Sequence, residues 1–427
     1  MYKILVHLLD ISLISAVNIF ALRLPVWISI IASLMIYLGI YSFRVYDKET
    51  MSSYVESLIR TVLGTIIGFV GILILYFFLN RFFNRYFFVT NLLFTTILFP
   101  LIHKIEYSIY GRYLPAKNYL VIGGQKEIGH IMDEISEKSM NKMRFVQYIN
   151  PSPATLEKAV SEGKAQSRSS AKLHGIIITD PELEKEVKPQ IERYKAEGLE
   201  IQYLPTVAER YLKRVPIEVV QKFKDYYNVI FENVQSSPSQ RILDGFVATL
   251  LLVISSPIML IISLSILIED GRPIVFKQER VGRNGRIFIM NKFRSLKQAE
   301  INPNNPNEDI EKRVLKVGKV IRKFRLDELP QVFNILKGDM SIVGPRPEMI
   351  VFHEIMSSQI PLYNYRLKLN PGITGWAQIN YKHTTTLEDY IKKTEYDLYY
   401  IKNRSIFLDF QIILKTLETM IGMRGAR

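Results

Sequence analysis

Four long apolar runs dominate the N-terminal part of the chain, at residues 4–22, 25–43, 58–79 and 87–102. In hydrocarbon a backbone must bond its own N–H and C=O groups, and roughly 20 apolar residues in a helix match the bilayer thickness. The runs therefore predict an integral membrane α-helical bundle over residues 1–112. The first run has no small-residue cleavage site and another run follows at once, so it does not read as a signal peptide. Arg44 and Lys48 lie between the second and third runs, and His103, Lys104, Arg112 and Lys117 follow the fourth. Arg81 and Arg85 oppose them from the short outer loop. The larger set places both ends of the bundle in the cytoplasm. Phe82, Phe83, Tyr86, Phe87 and Phe88 are expected to form an interfacial belt. His7 and Asp10 are expected to pair inside the bundle or to snorkel near its cytoplasmic end.

The mean hydropathy of +0.09 averages this apolar part with a charged remainder. A net charge of +14 admits a nucleic acid or an anionic membrane as partner. No nucleic-acid motif is present, so the lipid bilayer is the expected partner, at about 1 kcal/mol per Lys or Arg near its surface. The chain has no Cys, which excludes disulfides, thiolate metal sites and Cys nucleophiles. Its six His show no metal-ligand spacing, which argues against zinc.

From Asn118 the pattern alternates. Strands are expected at 118–122, 145–149, 175–179 and 200–204, with helices at 128–138, 154–162 and 182–197 and a surface linker at 164–172. This predicts a parallel, doubly wound sheet, an α/β Rossmann-like domain over residues 117–235. Its first turn, Gly123-Gly124 with Gly129, departs from the dinucleotide fingerprint. The ribose-binding acid is missing too, because the second strand runs into Asn150-Pro151. A degenerate scaffold, or a regulatory or dimerising domain, is the expected role.

The last third carries the chemistry. Two adjacent carboxylates, Asp327 and Glu328, sit among Arg322, Lys323 and Arg325 and before Leu329-Pro330-Gln331. Neighbours on a helix do not share a face, so a joint role needs a loop, a helix start or a shared metal. Arginines keep carboxylates ionised and attract phosphates, a combination suited to phosphoryl transfer. Around this block stand Lys277-Gln278-Glu279-Arg280-Val281-Gly282, Lys292-Phe293-Arg294-Ser295, Gly338-Asp339-Met340-Ser341, Gly344-Pro345-Arg346-Pro347, Pro371-Gly372-Ile373-Thr374-Gly375-Trp376 and Tyr396-Asp397-Leu398-Tyr399-Tyr400.

In order and spacing these blocks resemble the bacterial polyprenyl-phosphate sugar-1-phosphate transferases, which load the first sugar of a surface polysaccharide onto a membrane lipid. The resemblance covers residues 239–427 at motif level. The whole layout resembles the long form of that family: membrane bundle, nucleotide-fold domain, then a mostly helical, membrane-associated catalytic domain. It implies passage of hexose-1-phosphate from a UDP-sugar to polyprenyl phosphate, with undecaprenyl phosphate the expected lipid, at the start of exopolysaccharide, capsule or O-antigen synthesis. It also implies the bacterial inner membrane, with the soluble domains cytoplasmic, and it allows a homodimer.

Residue by residue, Asp327 resembles the family nucleophile and Glu328 the partner that helps it hold Mg2+. Arg322 corresponds to a phosphate-contacting arginine, with Arg280 and Arg294 as second contributors. Pro345-Arg346-Pro347 resembles a nucleotide-binding loop, with a purely structural turn as the competing reading. Gln331 and Asp339 are expected to support the site. A fifth apolar run, 246–268, contains Ser255-Ser256-Pro257, and the resemblance implies a re-entrant helix broken at Ser256 and Pro257. An ordinary kinked span competes with it. The end, 406–421, reads as an amphipathic helix on the bilayer or a plain core helix. Two rival functions remain. A membrane-bound nucleotide-sugar dehydratase or epimerase needs a Tyr-x-x-x-Lys pair, for which Tyr113 and Lys117 are the only spacing, ahead of the first strand. A membrane-anchored nucleotide-binding sensor needs no chemistry.

Overall fold

The computed structural model describes residues 2–43, 45–46, 51, 54–79, 83–113, 115–165, 172–235, 238–297, 313–381 and 386–421. Arg44, Lys48, Arg81, Phe82 and residues 166–171 and 382–385 lie outside that set. The chain divides into two compact units, Met1–Pro115 with Leu414–Gly422, and Ala116–Ile413 with Met423–Arg427.

The first unit is built from α1 (Tyr2–Ala16), which continues as a π-helical turn at Val17–Ala21, α2 (Val26–Ser42), α3 (Tyr54–Leu79) and α4 (Arg85–Tyr113). Ser57–Ile74 and Arg85–Ile109 are long and apolar enough to cross a membrane; Val6–Ala21 and Val26–Ser42 are shorter apolar helices. Apolar side chains face outward from the bundle as well as inward, and polar ones lie inside. Val89, Leu93, Ile97, Leu101, Ile105 and Ile109 form an exposed stripe at four-residue spacing. Asn18, Ser33, Thr65, Asn91 and Thr95 are buried instead. Inside, Asn91 donates to Asn18 Oδ1 at 2.8 Å and Asn18 donates to Ser33 Oγ at 3.2 Å. Such bonds hold helices together where lipid offers no hydrophobic drive. Two glycines of α3 let α2 approach: a Cβ on Gly64 would stand 2.6 Å from Ile40 Cα, and one on Gly68 2.6 Å from Ile36 Cα.

Asp10 is buried, as pairing within the bundle requires. It accepts from Tyr46 Oη at 2.5 Å and lies 2.8 Å from His103 Nε2. The aromatic belt needs correction. Phe83 and Phe87 are buried in the bundle core, with ring centroids 4.9 Å apart, while Tyr86 is exposed. Four helices must fill the space between their axes, and large rings do so once α3 and α4 close over them.

The second unit begins with a four-stranded parallel sheet of order β2-β1-β3-β4, formed by β1 (Lys117–Ile122), β2 (Met143–Ile149), β3 (Leu173–Ile178) and β4 (Glu200–Tyr203). Period-two alternation explains its two covered faces. Tyr119 and Val121 join a core with α5 (Gln125–Lys138) and α8 (Leu204–Leu212). Leu120 and Ile122 join another with α6 (Pro153–Ala165) and α7 (Pro181–Ala196). Gly123 has φ +146°, and a Cβ there would meet Thr179 Oγ1 at 2.0 Å. The first turn therefore requires glycine for packing, whatever it binds. Two short helices, α9 (Ile217–Lys222) and α10 (Lys224–Glu232), follow.

The first of these cores continues without interruption into the C-terminal part: Tyr227 and Phe231 share it with Met340, Ile342, Trp376, Leu398 and Tyr400. There α11 (Pro238–Asp270) is followed by the antiparallel pair β5 (Val275–Val281) and β6 (Ile287–Phe293), then α12 (Lys316–Lys323) and α13 (Gln331–Lys337). Next come β7 (Ser341–Val343), α14 (Ile350–Gln359), β8 (Gly372–Thr374), α15 (Trp376–Asn380), α16 (Leu387–Asn403) and α17 (Ile406–Ile421), with β7 and β8 paired in parallel.

The interruption expected at Ser256 and Pro257 is not a loss of helix, since α11 is helical throughout. Pro257 lacks the N–H that would reach the Val253 carbonyl. Ser256 Oγ donates to that same carbonyl at 2.9 Å, and Ser255 Oγ donates to Leu251 O at 2.6 Å. Local hydroxyls thus satisfy the turn that proline disrupts. In α17, Asp409 is buried and accepts from Tyr400 Oη at 2.6 Å, while Ile406 and Phe410 are exposed.

Candidate active site

Asp327 and Glu328 lie on a single 3-10 turn, Leu326–Glu328, between α12 and α13. Arg325, just before it, has φ +56°, a left-handed conformation costly for a side chain with a Cβ. That turn solves the geometry that a helix would forbid: Glu328 points inward and is buried, whereas Asp327 stays half-buried at the surface.

Two cations converge on Glu328 Oε1, Lys292 Nζ at 3.1 Å and an Arg346 guanidinium nitrogen at 3.4 Å. Burial opposes ionisation of Glu328, but Arg346, Lys292 and Arg325 outweigh it and hold its carboxyl down at about 2. Asp327 moves the other way. Burial and the adjacent Glu328 charge raise its pKa, against the pull of Lys292 and Arg322. One carboxylate is thus fixed as an anion, and its neighbour is made more basic and left open.

The Pro-Arg-Pro loop is rigidly backed. Pro345 and Pro347 are buried. Gly372 N donates to Pro345 O at 3.0 Å, and Gly344 N donates to Thr374 O at 2.9 Å. Arg280 donates to Pro347 O at 3.1 Å and to Gln278 Oε1 at 2.7 Å. Burial, followed by the nearby charge of Arg346, lowers the Arg280 pKa, which marks two guanidiniums crowded at one place. Such crowding suits an anion.

Of the residues singled out in the sequence, Asp327, Glu328, Arg346 and Arg280 come together here. Arg322 is exposed at the end of α12, near enough for its charge to act on Asp327. Arg294 does not join them. It is buried at the C-terminal end of α11, donating to Asp270 O at 2.8 Å and Gly271 O at 2.9 Å. A guanidinium satisfies those orphan helix carbonyls, so Arg294 anchors the apolar helix. Gln331 is buried at the start of α13, and Asp339 donates its N–H to Asn334 O in the turn closing that helix. Lys117 of the Tyr-x-x-x-Lys pattern pairs with Glu200 at 3.0 Å.

Sequence reasoning gave no role to Lys292, Glu348, Arg366, Lys393 and Asp397. The last four form a buried network beneath Arg346. Arg366 donates to Arg346 O and to Asp397 Oδ2, each at 2.9 Å, and Lys393 pairs with Glu348. Strand alternation carried the signal for Lys292, since Phe288 and Met290 point inward and Lys292 follows in register. Lys393 and Asp397 stand four apart on one helical face, a charged pair where an apolar stripe is expected. Asn334 fixes β6 against α13 by donating to Ile289 O at 2.7 Å and accepting from Asn291 N at 3.1 Å.

Asp327 and Glu328 also fit a hard cation. Both offer oxygen, Asp327 is accessible, and a cation would offset the burial and the Glu328 charge that raise its pKa. Two carboxylates leave the remaining positions to substrate oxygens and water, which is how Mg2+ is usually held.

Residues 235–423 match the model for the family described as "Bacterial sugar transferase". Over 189 residues the chain is 44% identical to the UDP-N-acetylgalactosamine-undecaprenyl-phosphate N-acetylgalactosaminephosphotransferase of Aeromonas hydrophila, covering 44% of this chain and 45% of that protein. It is 28% identical over 328 residues to the undecaprenyl-phosphate glucose phosphotransferase of Komagataeibacter xylinus, covering 73% of this chain and 60% of that protein. The chain thus spans less than two thirds of either relative. An uncharacterised sugar transferase of Bacillus subtilis is 38% identical over 190 residues, which are 44% of this chain but 89% of that shorter protein. The matched segment contains the carboxylate pair, the cations gathered on Glu328 and the loop that carries Arg346, and through it the chain belongs to the bacterial sugar transferase family.

Proposed function

We propose that the chain transfers hexose-1-phosphate from a UDP-sugar to polyprenyl phosphate and releases UMP, as the first step of a surface polysaccharide. The observation that carries this reading is the split between two adjacent carboxylates: Glu328 is held ionised by Lys292 and Arg346, and Asp327 is raised in basicity and open. In the first half-reaction an Asp327 oxygen attacks the β-phosphorus, and the bond to the bridging diphosphate oxygen breaks. UMP leaves and the sugar phosphate remains on Asp327. In the second, an oxygen of polyprenyl phosphate attacks the same phosphorus. The Asp327 carboxylate is regenerated and a sugar diphospholipid departs. Arg322 contacts phosphate at the open side, and Arg346 contacts the nucleotide. Asp327 and Glu328 would hold Mg2+, whose contribution is to neutralise the diphosphate and ease departure of the nucleotide.

The proposed topology draws its support from α11. At 1.5 Å per residue a straight helix of 33 residues is about 50 Å long, enough to span with length to spare. Both of its ends are tied to one catalytic layer. Arg241 donates to Ile335 O at 2.6 Å and Leu336 O at 2.7 Å; Glu269 accepts from Lys316 N at 2.6 Å and Val317 N at 3.0 Å. These anchors support a helix that enters and leaves the bilayer on one face, bent at Pro257, with the site on the cytoplasmic side of the inner membrane. The sheet layer is read as a degenerate nucleotide fold kept for its packing.

The test is UMP release by purified full-length protein given Mg2+, polyprenyl phosphate and a panel of UDP-sugars. One sugar should support release, Asp327→Asn should bring it to background, and wild type without lipid should retain the sugar phosphate on Asp327. Near-normal transfer by Asp327→Asn would overturn the covalent route.

A further inference from the structure

The sheet layer and the transferase layer meet at residues 213–217, the loop between α8 and α9 together with the first residue of α9. Arg214 in this loop has a side chain only 3% exposed, and its ion-pair partners are Glu134 on α5 and Glu395 on α16. Glu395 is equally buried and grips the loop twice more. Its carbonyl accepts from Val215 N at 3.0 Å, and its Oε1 accepts from Ile217 N at 3.0 Å. A second grip comes from Trp376, whose Nε1 donates to Lys213 O at 2.8 Å.

Both grips lead to Arg346. Trp376 directly follows Gly375 and β8, the strand that holds Gly344 and Pro345 through the two backbone bonds described above. Glu395 lies on α16 between Lys393 and Asp397. Those residues bind Glu348 and Arg366, and Arg366 donates to the Arg346 carbonyl. Loop 213–217 thus touches the elements that support the Pro-Arg-Pro loop from two sides, without touching Arg346 itself. A buried ion pair adds little net stability over apolar packing, but it admits few alternative geometries. Placed between two layers, it fixes one docking position.

We infer that loop 213–217 is a positioning element for Arg346, so that the sheet layer sets the shape of the nucleotide subsite. The inference rests on the reading of Arg346 as a nucleotide contact. Arg214 acts through Glu395 and α16; Lys213 acts through Trp376 and β8. The ligand affected is the nucleotide, and the lipid acceptor is not.

The experiment uses the full chain in lipid nanodiscs, with UMP binding by calorimetry and steady-state transfer as readouts. Trp376→Phe removes the donor to Lys213 and keeps an aromatic ring, although a smaller one, in the core beside Tyr399. The double variant Arg214→Met/Glu395→Leu replaces the buried pair with apolar groups, while Glu134, about a third exposed, keeps Lys392 at 3.7 Å. Each should weaken UMP binding and raise KM for the UDP-sugar about fivefold, with kcat at saturation and KM for polyprenyl phosphate nearly unchanged. In an Arg346→Ala background the same changes should add less than about twofold, because their target is gone. Should the double variant fail to fold, Trp376→Phe decides alone. Normal UMP affinity in the folded variants, or effects fully additive with Arg346→Ala, would overturn the inference. If Arg346→Ala weakens UMP binding and the loop variants do not, loop 213–217 is refuted while the nucleotide reading stands. If Arg346→Ala itself leaves UMP binding intact, the nucleotide reading fails and the inference fails with it.

Discussion

Removing Lys292 tests the electrostatic core of the site. In Lys292→Met the aliphatic stem remains and the charge 3.1 Å from Glu328 Oε1 disappears. The wild-type carboxyl is lowered from 4.5 to about 2. At about 1.4 kcal/mol per unit, that is about 3 kcal/mol in favour of the charged form. Arg346 and Lys292 are the two largest favourable contributors, so losing one should raise the Glu328 pKa by about one unit and cost about 1–2 kcal/mol of stability at neutral pH. The sign is fixed by linkage. A depressed carboxyl stabilises the fold fully above its ordinary 4.5, and this contribution fades as pH falls toward about 2. Lys292 also holds Asp327 down, so its loss raises the Asp327 pKa further. The acid limb of kcat/KM should therefore move to higher pH, so that the loss of activity relative to wild type grows as the pH is lowered. Lys292→Arg should restore most of the profile. A Lys292→Met protein that melts normally and keeps the wild-type acid limb would refute this electrostatic account.

Two further outcomes are expected. Gly68→Leu drives a side chain into Ile36, where even a Cβ would stand 2.6 Å from the Cα; the bundle should lose about 3 kcal/mol or more, visible as a lower Tm in nanodiscs while the second unit's melting is unchanged. In this Cys-free chain, Ser239→Cys and Arg286→Cys should both resist an impermeant thiol reagent in intact cells and label after permeabilisation. Labelling of the second alone would establish that α11 spans.

What the sequence disclosed depended on the range of the interactions involved. Period two and long apolar runs located the strands and apolar helices, because each depends on near neighbours. The Asp327-Glu328 pair stood out because an acid pair among arginines suits phosphate chemistry, and the structure sets the two on one 3-10 turn. Arg294 was misleading for the same reason, since an arginine beside a motif looks like a phosphate ligand. Only the fold shows Asp270 and Gly271 presenting carbonyls to it. The phenylalanines near the outer loop failed similarly: composition suggests a membrane interface, while helix packing sends Phe83 and Phe87 inward. Arg214 and Glu395 are 181 positions apart, and no local pattern joins them.

The sheet layer poses the last problem, because its shape invites a ligand that its residues discourage. In an open parallel sheet a ligand lies beyond the strand ends where the order reverses, here between β1 and β3. Glu127 lies in the first turn of the helix after β1, and Asp180 follows β3. Lys222 bridges them, 2.6 Å from Glu127 Oε2 and 3.1 Å from Asp180 Oδ2. A pyrophosphate entering there would meet two carboxylates and would have to displace their lysine. Lys222 belongs to α9, the helix that begins at Ile217, where Glu395 takes hold. The same short segment therefore closes the crevice at one end and docks the transferase at the other. Opening the crevice for a nucleotide would move α9 and disturb the grip on Glu395. The two uses compete, and the packed core running from Tyr227 to Tyr400 favours docking.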